Sequence, residues 1–125
     1  MPADRARAAS HLAAGQANLA AAELITDASI RYKLAYDAGF EAVLAHMSGH
    51  GLRLRSRPGH HEAAALYATF VLITDDARSA AEDLDAIRRG RNAVYYQASE
   101  VGEETAAWAV DTARALLGAI ARPSG

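Results

Sequence analysis

Apolar residues recur at three- and four-residue intervals along most of this chain, and no run alternates as a half-buried strand would. The pattern predicts helices throughout. A first, alanine-rich helix is expected over about residues 4–25, with a thin apolar stripe suggested by Leu12, Leu19, Ala22 and Glu23 to Ile25. Gly15 should weaken it by about 1 kcal/mol relative to alanine. Thr26-Asp27-Ala28-Ser29 reads as a stop and restart, because Thr and Asp are good N-caps. A second helix, about 28–48, carries Phe40, Val43, Leu44 and Met47 at helical spacing, with Ile30 and Leu34 before them. A loop over about 48–59 follows, where Gly and Pro break the helix. A third helix is expected over about 60–73 around Leu66, Phe70 and Ile73. A fourth is expected over about 75–96, with Thr74, Asp75 and Asp76 as its cap and acidic first turn. Ser99 or Gly102 would cap a fifth, whose stripe is the cleanest: Ala106, Ala109, Val110, Ala113, Leu116, Leu117 and Ile120. Arg122 to Gly125 reads as a frayed tail.

These elements predict an all-α fold, an antiparallel bundle of four to five helices. A chain of 125 residues makes one domain, with no internal repeat and no linker. It can bury about two-thirds of its unfolded surface. A formal net charge of −2 argues against a general nucleic-acid coat but leaves room for a local basic site. The absence of cysteine excludes disulfides, thiolate metal sites and a cysteine nucleophile. Lys33 is the only lysine, and the alanine and arginine bias fits a GC-rich bacterial genome. No run approaches the ~18 apolar residues that cross a bilayer, and Met1 to Arg7 has no signal-peptide core, so a cytoplasmic protein is expected.

One position breaks the pattern. With Leu84 as the centre of the fourth helix's apolar face, Ala77, Ala80, Ile87, Val94 and Tyr95 fall within about 80° of it. Arg91 falls only about 20° from that centre, where a hydrophobe is expected, and Arg88 about 40°. An arginine there must snorkel, pair with an acid or serve a site, because burying it alone is costly. Asn92 follows it, Tyr95 stands one turn on, and Gly90 leaves a gap where another backbone could approach. A guanidinium fork, an amide and a phenol suit a phosphate. An internal ion pair with Asp37 or Glu41 of the second helix accounts for the same arginine.

The arrangement resembles the HEPN family of small all-α proteins. Arg91-Asn92 matches the Arg-polar start of that family's signature. Ala35 to Phe40 is similar to its Tyr-containing second helix, and Gly59-His60-His61 to the turn before its third. The likeness runs over most of residues 26–121. It implies a homodimer with a site at the dimer interface, built on Arg91, Asn92 and Tyr96. It implies RNA or a nucleotide as ligand, a role in a toxin–antitoxin or defence system, and a nucleotidyltransferase-like antitoxin as a partner. The family's ribonucleases work without a metal through the Arg and a His. Here Tyr96 stands at the histidine's place, and a phenol with a pKa near 10 is a poor general base at neutral pH. The resemblance therefore implies binding more than cleavage, with a metal-independent ribonuclease toxin as the alternative and a purely structural bundle as a third reading.

The remaining candidates are weaker. Arg53, Arg55 and Arg57 alternate in the loop and would point one way in an extended segment, an accessory phosphate stripe or an ordinary solvated loop. His46 and His50 have helical ligand spacing, and His60, His61 and Glu62 could complete a set. But Gly49 should end the helix before His50, and no His-Glu-x-x-His motif exists, so no metal or cofactor is expected. His60 or His61 could also stand in for the missing histidine. Asp75, Asp76, Glu82, Asp83 and Asp85 read as capping and solvated acids. Trp108 lies off its helix's stripe, over the bundle edge or as an interface anchor.

Overall fold

In a computed structural model, residues 3–51, 75–97 and 101–121 are described, the side chains of 75–77, 91–97 and 121 excepted. They form four helices: α1 (Arg5–Leu24), α2 (Ala28–Gly49), α3 (Asp75–Gln97) and α4 (Glu103–Ala121). No strand occurs among the described residues. The helix expected over 60–73, the loop from Leu52 to Gly59 and the tail 122–125 lie outside them.

The helix starts follow from their caps. Asp4 accepts from the Arg7 N–H at 2.9 Å and Asp27 from the Ile30 N–H at 3.0 Å, each satisfying a donor the helix cannot. At the head of α4 it is the Gly102 carbonyl that accepts the first intrahelical bond, from Ala106 at 3.0 Å. The loop begins two residues later than expected: Ser48 and Gly49 are helical, His50 is the C-cap, and Gly51 takes a left-handed φ of 75°. A Cβ would strain that conformation, so glycine closes the helix.

Helices α2 and α4 run parallel, joined at their heads by the Val101 N–H donating to Ser29 Oγ at 3.2 Å. Helices α1 and α3 run antiparallel to them and pack on both, but not on each other among the described residues. The core lies between α2, α3 and α4: Tyr32, Ala35, Tyr36, Val43, Leu84, Ile87, Ala109, Ala113 and Leu116 are all buried. Of the stripe expected on α3, Ala80, Leu84 and Ile87 are buried, and the stripe expected on α4 is buried, with Ile120 at the margin.

Two expectations need correction. Ile30, placed on the apolar face of the second helix, is 46% exposed. The expected Val43 and Met47 are buried, but most other inner positions of α2 are alanines, tyrosines and Gly39, because close neighbours on several sides leave room for small or flat side chains. Gly15 is more than a weak point in α1. A Cβ there would lie 2.8 Å from Leu117 Cδ2 and 3.1 Å from the Ala38 carbonyl oxygen, so its bareness lets α1, α2 and α4 cross.

Candidate functional site

The candidate site grows from the second half of α3. Ala80, Ala81, Leu84 and Ile87 are buried, which fixes the phase of the helix against α2 and α4. Arg91 follows Ile87 by four residues in the same unbroken helix. Its own side chain, with those of Asn92, Tyr95 and Tyr96, lies outside the described residues, as do Arg53, Arg55 and Arg57.

Directly before Arg91 the structure shows a contact absent from the sequence reading. Tyr32, on α2, is buried to 2% exposure, and its hydroxyl donates to the Ile87 carbonyl at 2.6 Å. Burial raises the Tyr32 pKa above its ordinary value, so the phenol keeps its proton and donates. Gly90 is what admits it: a Cβ on Gly90 would run into the Tyr32 hydroxyl oxygen, with Cζ 3.3 Å away. The gap foreseen at Gly90 therefore takes a phenol tip rather than a backbone. Gly90 signalled that something comes close; nothing local named Tyr32, which lies 55 positions from the Ile87 whose carbonyl it bonds.

The cations around this turn are partly engaged. Arg88 Nε donates to Asp85 Oδ1 at 3.0 Å, and Arg89 lies 3.6 Å from Asp85 Oδ2. Arg88 is largely covered, with 19% of its side chain exposed, whereas Arg89 is 67% exposed. Asp85, expected only as a solvated acid, thus holds the two arginines that precede Arg91. Glu82 is exposed, as expected. Glu41, one of two acids considered for Arg91, bonds His11 of α1 across 2.5 Å.

No family model, curated protein or solved structure matches the chain.

Elsewhere, His46 and His50 stack with ring centroids 4.3 Å apart, and His50 Nδ1 bonds the His46 carbonyl at 2.8 Å. Among the described residues no three His, Asp or Glu side chains gather as a metal set; His60, His61 and Glu62 lie outside them. Trp108 stands off the core, 36% exposed. Among the described residues, no helix is long and apolar enough to cross a membrane.

Proposed function

We propose that this chain is a HEPN-like helical protein that binds a phosphate-bearing ligand, RNA or a nucleotide, around Arg91. Arg91 holds the phosphate, Asn92 orients it, and Tyr95 and Tyr96 donate hydrogen bonds. Arg88 contributes charge while tethered to Asp85, and Arg53, Arg55 and Arg57 serve as accessory phosphate contacts. The proposal includes the paired form that the resemblance implies, a homodimer meeting at this site, and a regulatory partner such as a nucleotidyltransferase-like antitoxin. Cleavage is not part of the reading, because Tyr96 supplies no base that works at neutral pH.

The observation that carries the reading is the buried stripe Ala80–Leu84–Ile87, which continues in register to Arg91. A cation in that register calls for an anion, since an unpaired buried charge is costly. A phosphate matches the planar guanidinium fork in both charge and geometry.

The test is RNA binding and cleavage by the wild type and Arg91→Ala, with EDTA present and thermal melts alongside. Binding by the wild type, lost in an equally stable Arg91→Ala, is the expected result. Cleavage by the wild type alone would move the reading to a metal-independent ribonuclease. No binding by either protein, with Arg91→Ala less stable by about 3–5 kcal/mol, would make Arg91 one partner of a structural ion pair.

A further inference from the structure

We propose that Tyr32 is a positioning residue for the Arg91 site: its hydroxyl, admitted by Gly90, fixes the turn of α3 from which Arg91 projects. The inference rests on the reading of Arg91 as a phosphate ligand. Its geometry is independent of that reading.

In an α-helix the N–H of Arg91 is bonded to the carbonyl of Ile87. That is the same carbonyl to which Tyr32 donates, at 2.6 Å. The phenol therefore grips the peptide group that carries Arg91's own helical bond, from a different helix and from inside the core. The arrangement breaks two local rules at one turn. A glycine stands inside an exposed-to-buried helix, where alanine is the better helix former. A hydroxyl is buried where Phe against Ala would pack without any polar group. Ile87 O already has its helical donor, so the bond from Tyr32 satisfies no orphan on α3. Departures from local consistency with no packing need gather where geometry is held for function. Here they meet one residue before Arg91.

Tyr32→Phe removes the grip without opening a cavity or orphaning the carbonyl, so the protein should fold. Gly90→Ala pushes the phenol away and should lower the melting temperature. In the double variant Tyr32→Phe/Gly90→Ala the obstructing oxygen is gone, and only Cζ remains, 3.3 Å from the new Cβ. The double variant should therefore recover thermal stability relative to Gly90→Ala.

The experiment measures affinity for an end-labelled oligouridylate and the melting temperature of all three variants, the wild type, Arg91→Ala and Ser29→Ala. Ser29→Ala removes another side-chain link, to the Val101 N–H, at the head of α2. The expected result is that Tyr32→Phe and the double variant each bind about three- to tenfold more weakly than wild type, the range of one lost hydrogen bond. Stability returns in the double variant but affinity does not, and Ser29→Ala binds as wild type. A structural contact alone would give affinity that follows the melting temperature across the set, and that result overturns the proposal. If Arg91→Ala abolishes binding while Tyr32→Phe binds as wild type, the positioning role fails and the Arg91 reading stands. If the wild type does not bind oligouridylate at low salt, both fall.

Discussion

Single side chains near the chain ends of α2 show how position sets chemistry. His46 is half-buried one turn from the end of the helix, stacked on His50. Burial, and then the neighbouring His50, push its pKa below the ordinary 6.5. The unfolded chain then takes up a proton at a higher pH than the folded one. Between the lowered value and 6.5 the unfolded state binds more protons, so stability rises with pH across that window. Full stability is present above 6.5 and is lost as pH falls into the window. Melts at about pH 7.5 and about pH 5.5 should show the wild type losing more stability than His46→Gln. Equal losses in the two proteins would mean that other groups carry the acid sensitivity.

At the scale of the elements, one arginine of α2 ties the end of α1 to the head of α2 and reaches the head of α4. Arg31 donates to the Ile25 carbonyl from Nε at 3.0 Å and from a terminal nitrogen at 2.7 Å, to Thr26 O at 3.2 Å, and to Glu103 at 2.7 Å. The carbonyl bonds matter more than the ion pair, because Glu103 is 71% exposed and its charge is screened. Arg31→Ala should cost about 2 kcal/mol, and Glu103→Ala under about 1 kcal/mol. Arg31→Lys should behave more like alanine than like arginine, since an ammonium lacks the fork. Urea denaturation of the three variants ranks them, and a Glu103→Ala loss as large as that of Arg31→Ala would reverse the assignment. None of these partners was legible in the sequence, whereas the helix limits were. Caps and breakers act within a few residues, so Asp27 marked the start of α2, and the apolar period marked α3 and α4 to within a residue or two. The inner face of α2 was misread at Ile30 because a helix with neighbours on several sides has no single stripe. At the site, Arg91 was legible as a break in periodicity and Gly90 as a gap. Tyr32 was not, since its role depends on how two distant helices pack.

For the molecule as a whole, the same substitution should have opposite signs at two glycines, according to what the assembled helices leave beside each. Both sit inside helices, where Ala is favoured over Gly by about 1 kcal/mol. At Gly118 of α4 a Cβ would meet nothing within 4 Å, so propensity acts alone and Gly118→Ala should stabilise by about that amount. Gly15 lies where α1 crosses α2 and touches α4. The methyl group of Gly15→Ala would press on Leu117 Cδ2 at 2.8 Å and on the Ala38 carbonyl oxygen at 3.1 Å. The leucine can turn aside, but the carbonyl belongs to the backbone of α2 and yields only if α1 shifts outward. Such a shift disturbs the crossing and the His11–Glu41 bond one turn earlier. Overpacking of this kind costs about 1–3 kcal/mol, more than propensity returns, so Gly15→Ala should be destabilising on balance. Thermal melts of the two single variants and their combination decide it. Stabilisation by both would mean that α1 rests loosely on the other helices, and that the crossing at Gly15 does not limit how closely they approach.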